Sequence, residues 1–175
     1  MSILNYLPEF KVVEVNRLTG LTAGHVLSQF KNGDVTLKNV NGNDFLENGL
    51  IVGLNKDLEI DNYDAAKHAQ PFLVFNEELN TFMNGLKYYA EPVIDGEVYP
   101  RAIGLYVGDI FTTNNYAVAG ATDPKYAKVV DGKLTLQDTA DSATMFVVEE
   151  STLPTGGTAY KFTYLGEVTT VEVGG

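Results

Sequence analysis

The stretch LYVGDIFTTNNYAVAG, residues 105–120, has an earlier counterpart in LTAGHVLSQF, residues 21–30. In each stretch a glycine is followed by one polar or charged residue and two apolar residues, after which the chain turns polar. The matched tetrapeptides are GHVL, beginning at Gly24, and GDIF, beginning at Gly108. Because an internal repeat determines the architecture of a chain, this pair is the starting point for predicting the fold.

Further matches follow the two glycines in the same order. Gly49 and Gly132 come at nearly the same distance downstream, and the apolar runs PFLVF and MFVV lie next. Phe72 and Phe146 in these runs are 74 positions apart, and the lysines of the following runs, LKYYAEPV and YKFTYLGEV, have the same spacing. We predict a tandem duplication with about ten additional residues in the first copy. The alternative is that two β-rich halves share short apolar runs and glycine turns without being duplicates.

The composition favours strands and turns. The 175 residues include 17 glycines, ten tyrosines and nine phenylalanines, and aromatic residues fit pleated, half-buried surfaces. We predict a mainly β protein made of two tandem small β-barrel-like or sandwich-like units with one or two short helices. Residues 1–20 are an amino-terminal arm or added strand, residues 21–95 the first β unit, residues 96–104 a structured junction and residues 105–175 the second β unit.

Local patterns place the individual elements. Strands are predicted near residues 25–29, 35–40, 50–54, 72–75, 87–93, 109–112, 126–130, 133–137, 145–149, 159–165 and 168–173. Asn-Gly or Asp-Gly steps at Gly33, Gly42 and Gly132 predict tight hairpin turns. Capping residues ahead of an alanine-rich run predict a helix over residues 61–70, and helical spacing favours a second helix, or else a loop, over residues 76–85.

Residues suited to catalysis are few. The chain has two histidines, His25 and His68, and no cysteine, and neither histidine belongs to a recognisable cluster with a serine and an acid. His25 occupies the repeat position of Asp109, which favours a surface or rim position. We expect no catalytic, cofactor-binding or metal-binding residues, no cofactor and no enzymatic activity.

An acidic run is the one candidate for a cation site. Asp57, Glu59, Asp61 and Asp64 could supply oxygen ligands to calcium. The run departs from the EF-hand pattern, since the twelfth position counted from Asp57 is His68. A solvated acidic loop is therefore the expected structure.

Four tyrosines suggest an alternative function. Sugar rings stack on aromatic side chains, so Tyr88, Tyr89, Tyr160 and Tyr164 make a carbohydrate-binding β-module a second hypothesis. The alternation of aromatic residues with Lys161 and its polar neighbours instead favours strands with one buried face. These tyrosines are then core, rim or interface residues.

The net charge of the chain argues against nucleic acid as a partner. The formal net charge is −11, and the 12 basic residues are scattered without a run. Nucleic-acid phosphates require clustered basic side chains, so no nucleic-acid partner is expected. The amino terminus lacks the pattern of a secretory signal, and no apolar run has the length of a membrane span, so we expect a soluble protein made in a reducing cytoplasm.

Three segments carry a resemblance to a known class of proteins. VGDIFTTNNYAVAG, VVDGKLTLQD and ATMFVVEESTLP, within residues 105–165, resemble segments of auxiliary capsid proteins of tailed bacteriophages, called decoration or cement proteins, especially from phages of low-GC Gram-positive bacteria. The resemblance implies a β-rich virion protein, made in the host cytoplasm, that binds and stabilises the exterior of the assembled capsid. It also implies the major capsid protein or another virion protein as partner and a homo-oligomer on the shell. It assigns no site residues. A head fibre base, a tail tube or a baseplate module is the alternative within the virion.

Overall fold

Three β-sheets and one short helix form the described part of the chain. The computed structural model describes residues 11–27, 30–40, 43–75, 90–92, 99–153 and 157–166. In chain order the elements are β1 (Val13–Arg17), α1 (Thr19–Thr22), β2 (Val26–Leu27), β3 (Asn32–Asp34), β4 (Lys38–Val40), β5 (Asn43–Glu47), β6 (Ile51–Leu54), β7 (Ile60–Asn62), β8 (Phe72–Val74), β9 (Ala90–Pro92), β10 (Ala102–Gly104), β11 (Ile110–Thr113), β12 (Tyr116–Val118), β13 (Tyr126–Val130), β14 (Lys133–Gln137), β15 (Thr144–Thr152) and β16 (Thr158–Tyr164). The prediction of a mainly β protein with few helices is confirmed.

The two larger sheets repeat one strand order. The first sheet runs β2-β10-β8-β6-β7-β3, and the second runs β1-β11-β16-β15-β13-β14-β12. When β1 is set aside and the six strands of each sheet are numbered along the chain, both orders read 1-6-5-3-4-2. In both sheets the second and fourth strands pair in parallel and the other neighbours are antiparallel. The third sheet, β4-β5-β9, has no counterpart among the described residues of the second half.

The pairing register of the sheets agrees with the sequence repeat at two positions. Phe72 and Phe146 face equivalent residues of the neighbouring strands in their respective sheets. The same registers make Leu27 equivalent to Phe111, which is the spacing predicted from Gly24 and Gly108. Both glycines have positive φ, 74° and 89°, so each supplies the left-handed residue of an equivalent turn.

Two predicted equivalences are wrong. Gly132 lies in the turn between β13 and β14, whereas Gly49 precedes β6, the counterpart of β13. In the first sheet β7 is the counterpart of β14, so the turn equivalent to the one at Gly132 lies between β6 and β7, after Gly49. The proposed match of residues 86–93 with β16 also fails, because β10 is the strand that pairs as β16 does and β9 pairs with β5. Lys87 itself lies outside the described residues.

Two strands, β1 and β10, connect the halves of the chain. The strand β1 pairs antiparallel with β11 at the edge of the second sheet. Residues 99–104, within the predicted junction, supply β10 to the centre of the first sheet, between β2 and β8. One buried apolar cluster combines Leu18, Ile51 and Leu73 with Phe111 and Phe146. The two sheets therefore share a core.

The aromatic centre of that core follows from alternation in β16. Phe162 and Tyr164 are buried, whereas Lys161 and Thr163, which precede them by one residue each, are partly exposed. This alternation is expected for side chains that point to opposite faces of a sheet. Phe162 stacks on Phe111 with ring centroids 5.6 Å apart. Burial of large aromatic side chains is the main source of stabilisation in such a core.

One predicted helix is absent and one hairpin is as predicted. Residues 61–70 do not form a helix, because Ile60–Asn62 pair with β6 and β3 and only a single turn follows at residues 65–67. The predicted helix over residues 76–85 and the strand at residues 168–173 lie outside the described residues. The hairpin between β13 and β14 is confirmed, with positive φ at Asp131 (48°) and Gly132 (73°), the conformation that tight hairpin turns require.

The step at Gly33 is not a hairpin turn. Residues Asn32–Asp34 form β3, which pairs in parallel with β7. A side chain at Gly33 would collide with Asp61, so the glycine allows close approach of two strands rather than a turn. The predicted turn at residues 41–42 lies outside the described residues, although Val40 and Asn43 on either side of it do pair.

Candidate binding site between the two sheets

A cavity of about 630 Å³ lies between the two halves of the chain. The first half contributes the end of β3 and the segment from Asp61 to His68, and the second half contributes the β13–β14 hairpin and the segment before β15. The walls are built from residues that are far apart in sequence. Their positions depend on the packing of the two sheets on each other.

A hydrogen-bonded turn shapes the first wall. The backbone carbonyl of Asp64 accepts the amides of Lys67 and His68, at 3.0 and 2.9 Å. The amide of Asp64 in turn donates to Nδ1 of His68 at 3.0 Å. This reciprocal closure satisfies the polar groups that a helix would have used. It fixes a single turn in place of the predicted helix.

His68 is buried in the wall of the cavity, with 5% of its surface exposed. Its ring lies directly over Gly53 of β6, where any side chain would overlap the imidazole. The ring also faces Tyr63, with centroids 5.9 Å apart. Since Nδ1 accepts a hydrogen bond, the neutral imidazole carries its proton on Nε2. His68 therefore presents a hydrogen-bond donor.

Carboxylates dominate the electrostatics of the cavity. Among the described residues, Asp34, Asp61, Asp64 and Asp131 line it together with one cation, Lys67. The amide of Ala66 and the ammonium of Lys67 hold the pKa of Asp64 below its usual value, because both stabilise the charged form. The cavity is thus strongly acidic at neutral pH.

Two of these carboxylates, those of Asp61 and Asp64, have hydrogen-bond or ion-pair partners within the protein. Asp61 accepts the amide of Asp34 at 2.9 Å and the side-chain amide of Asn55 at 3.1 Å. Asp64 accepts the amide of Ala66 at 2.9 Å and pairs with Lys67 at 3.2 Å. Hydrogen bonds and ion pairs of this kind stiffen a loop. The acidic run therefore shapes the cavity wall.

The remaining two carboxylates, Asp34 and Asp131, come from different halves of the chain, and Asn62 contacts a residue close in sequence to each. The Asn62 side chain bonds Thr36 twice, at 3.3 and 2.9 Å, beside Asp34. Its amide group also lies against Gly132, where an added Cβ would collide with it, beside Asp131. In the described part of the chain, neither the Asp34 nor the Asp131 carboxylate has an ion-pair or hydrogen-bond partner. Both are exposed.

The second wall is held by another hydrogen-bonded turn. Asp141 accepts Lys128 Nζ at 2.8 Å, Gln137 Nε2 at 2.7 Å and the amide of Ala143 at 2.9 Å. These donors, the Lys128 ammonium first, lower the pKa of Asp141 to about 2. The contacts orient residues 142–143, which line the cavity next to Met145.

Asp141 gives a pH-dependent prediction. Because its folded-state pKa of about 2 lies below the ordinary value of 3.8, its stabilisation is present above pH 3.8 and is lost as the pH falls towards 2. We expect Asp141→Asn to lower the urea midpoint at pH 6 and to match the parent protein near pH 2. Asp57→Asn, at an exposed carboxylate paired only with exposed Lys56, controls for the charge change. A midpoint difference that does not vary with pH would contradict the assignment.

The two histidines lie in different environments. His25 is exposed and contacts the Tyr106 ring edge-on at 5.2 Å, in agreement with the predicted rim position. Its repeat counterpart, Asp109, is fully buried and accepts the amides of Thr19 and Tyr106 at 2.8 and 2.9 Å. His25 is not brought together with His68, which lies in the cavity wall.

The candidate tyrosines do not form one platform in the described residues. Tyr164 is buried against Phe146, with centroids 5.4 Å apart. Tyr160 is half-buried and meets the ring of Tyr116 edge-on at 5.0 Å, and burial raises the pKa of Tyr116. Residues 88 and 89 lie outside the described part.

The cavity was not predicted from the sequence. Asn62, Tyr63 and Gly53 shape it, yet their spacing resembles an ordinary polar loop beside a strand. The only signal was the clustering of His68 with the acidic run. Across the described ranges, no group of three or more His, Asp or Glu side chains is arranged to hold a metal ion.

Comparisons with known proteins found no match for this chain among protein-family models, curated proteins or solved structures. Among the helices that the structure describes, none is long and apolar enough to cross a membrane.

Proposed function

We propose that this protein is a non-enzymatic structural component of a tailed-bacteriophage virion that binds the exterior of the assembled capsid and stabilises it. The partner is the major capsid protein, and the protein acts as a homo-oligomer on the shell. The resemblance of residues 105–165 to decoration proteins motivates the proposal.

The observation that carries the proposal is the strand order shared by the two sheets. The two sheets have the same strand order, so the chain contains the same backbone frame twice. A capsid is a symmetric array, so the same subunit surface recurs at fixed intervals. Each unit can then contact a different subunit, and the chain bridges the junction between them.

Bridging requires the two units to be firmly connected. The amide of Ile51 in β6 donates to the carbonyl of Gly132 at 2.7 Å, across the two halves. The side-chain amide of Asn115 donates to the carbonyl of Asn48 at 2.7 Å, and both residues are buried. Together with the shared apolar cluster, these bonds resist separation of the units. A chain whose two units are held together in this way resists movement between the capsid subunits that the units contact.

Cosedimentation tests the proposal. Purified protein is mixed with emptied capsids of phages that infect low-GC Gram-positive hosts and is pelleted at low and high salt. We expect saturable binding that weakens with salt, since the protein carries 23 acidic and 12 basic residues and electrostatic association is screened. The bound capsid should also withstand higher temperature before it disassembles.

The control is an unrelated acidic β-protein of similar mass, which should stay in the supernatant. Size-exclusion chromatography with light scattering gives the oligomeric state before binding. Failure of the protein to bind any capsid form or any other virion part would overturn the proposal.

A further inference from the structure

Among the described residues, one strand of the second sheet, β1, has no counterpart in the first sheet. It pairs antiparallel with β11 along the outer edge of the second sheet. The strand equivalent to β11 in the first sheet is β2, and in the described part of the chain β2 has a neighbour on one side only, β10. The other edge of β2 therefore offers backbone donors and acceptors where β1 satisfies those of β11.

The two valines of β1 cover the apolar face of the second sheet. Val13 is 6% exposed, and Val15 lies opposite Phe111, which is fully buried. Both valines pack on the buried cluster that contains Phe111. Glu14 lies between them and is exposed, as alternation along a strand requires. The strand β1 thus completes a core as well as a row of hydrogen bonds.

The equivalent place on the first sheet is partly open. By strand register Leu27 is the counterpart of Phe111, yet Leu27 is partly exposed. Together with Phe30 it lies against a second buried cluster. That cluster contains Phe72, the counterpart of Phe146. An apolar strand added to β2 would bury Leu27 as β1 covers Phe111, and burial of apolar surface is favourable.

The chain contains the sequence of β1 a second time. The tripeptide Val-Glu-Val occurs twice, at residues 13–15 in β1 and at residues 171–173. The likeness extends over six positions, because FKVVEV at residues 10–15 and VTTVEV at residues 168–173 both have apolar residues at the first, fourth and sixth positions. Residues 168–173, for which the sequence predicts a strand, lie outside the described residues. Their composition of valine and threonine suits a strand at a sheet edge.

The position of Gly166 favours a second copy of the chain as the source of this strand. Gly166 lies against Val107, whose neighbour Tyr106 meets the His25 ring at 5.2 Å, beside the start of β2. An antiparallel strand in the register of β1 would place residue 171 two positions beyond Leu27, about 14 Å along β2 from His25. Residues 167–170 of the same chain would be fully extended over that distance, which leaves none for the reversing turn. A neighbouring chain has no such constraint.

From this correspondence we infer that residues 168–173 of one chain pair antiparallel with the edge of β2 in a second copy. In the register of β1, Val173 lies opposite Leu27, and Val171 faces the same apolar cluster. Glu172 then faces water. The homo-oligomer that this pairing produces rests on the proposed function for its role on a capsid. The pairing itself depends only on the two sheets.

Disulfide cross-linking tests the register, because the chain has no cysteine of its own. A Leu27→Cys chain is mixed with a Val173→Cys chain that carries an amino-terminal tag, so the mixed dimer has its own mass on a non-reducing gel. Directly opposed residues of paired strands lie within disulfide distance, so we expect the mixed dimer under mild oxidation.

The control for cross-linking uses Val118→Cys in place of Leu27→Cys. Val118 is 58% exposed on β12, at the far edge of the second sheet. It should give about tenfold less mixed dimer, since its cysteine meets that of the Val173→Cys chain only by diffusion.

Size-exclusion chromatography with light scattering tests the contact without a cross-link. Val173→Asp puts a charge on the face of the added strand that becomes buried, so the dissociation constant between chains should rise at least about tenfold. Thr170→Asp adds the same charge on the opposite face of the segment, and this matched control should assemble as the parent does. Circular dichroism verifies the fold of both variants. If Val173→Asp loses the fold, the cross-linking result decides.

Four results would overturn the inference. The first three are a parent protein that is monomeric at every concentration, a mixed dimer no more abundant than with Val118→Cys, and equal assembly of Val173→Asp and Thr170→Asp. The fourth comes from a chain that carries both Leu27→Cys and Val173→Cys. A disulfide within that chain, without a mixed dimer in the first experiment, would show that the segment pairs in its own chain.

Capsid cosedimentation separates failure of this inference from failure of the proposed function. If the chains exchange residues 168–173 but the parent binds no capsid or other virion part, the proposed function fails and the inference stands. If the parent binds capsids while the mixed dimer does not form, capsid binding stands and the inference fails.

Discussion

Replacing Phe162 with alanine should lower the free energy of unfolding by about 3 to 5 kcal/mol. Phe162 is fully buried in the middle of β16. Its ring stacks on Phe111 at 5.6 Å and meets Phe146 edge-on at 6.0 Å. Alanine would remove these contacts and leave a cavity in a core that both halves share, and the surrounding rings cannot fully close it. Urea unfolding followed by circular dichroism measures the loss.

The matched control for Phe162 is Val118→Ala. Val118 is 58% exposed at the end of β12, so its truncation should change the free energy of unfolding by less than about 0.5 kcal/mol. Phe162→Leu should fall between the two, since it retains most of the apolar volume. A loss below about 1 kcal/mol for Phe162→Ala would show that the aromatic cluster does not organise the core.

Asp109→Ala should cost about 2 to 4 kcal/mol, the second large effect. The carboxylate is fully buried, and its two oxygens accept the amides of Thr19 and Tyr106. Alanine leaves both donors without their charged acceptor, and hydrogen bonds to charged groups are the stronger kind. The first bond also fixes the segment that joins β1 to α1. Amide hydrogen exchange should therefore accelerate at Thr19 and Tyr106 before the sheet as a whole opens.

Asp138→Ala is the control for Asp109→Ala. Asp138 also accepts two backbone amides, those of Thr122 and Asp123, but this network is exposed to water. Water can replace the lost acceptor there, so the loss of stability should be clearly smaller. Equal losses at the two positions would contradict the burial argument.

The core and the rim of the cavity depend on the same contact between the two halves of the chain. The hairpin turn that carries Asp131 is held by the bond from Ile51 to Gly132. A loosened core in Phe162→Ala would therefore also move the cavity rim.

The strands of the second half could be predicted closely from the sequence. The bounds of β13 and β14 equal the predicted ranges 126–130 and 133–137, because an Asp-Gly turn between alternating apolar residues encodes a hairpin locally. The equivalence of Phe72 and Phe146 could also be predicted. Repeated spacing preserves register, and register is fixed wherever one face of a strand is buried.

The errors came from places where distant residues override local preference. The run over residues 61–70 has helical capping and alanines, yet pairing of Ile60–Asn62 with two neighbouring strands and the bond to the His68 ring produce a strand and a turn. Helix propensity contributes only tenths of a kcal/mol per residue, and tertiary contacts outweigh it. Gly33 was misassigned for the same reason.

The sequence by itself determined the β class, the aromatic alternation of β16, the Asp-Gly hairpin and the repeat spacing, since each depends on neighbours along the chain. Only the tertiary structure decided the shared strand order, the burial of Asp109 and the cavity that joins Asp34, His68 and Asp131. Those features depend on side chains that meet only when the two sheets pack together. Packing of that kind is a property of the whole fold, and no local pattern encodes it.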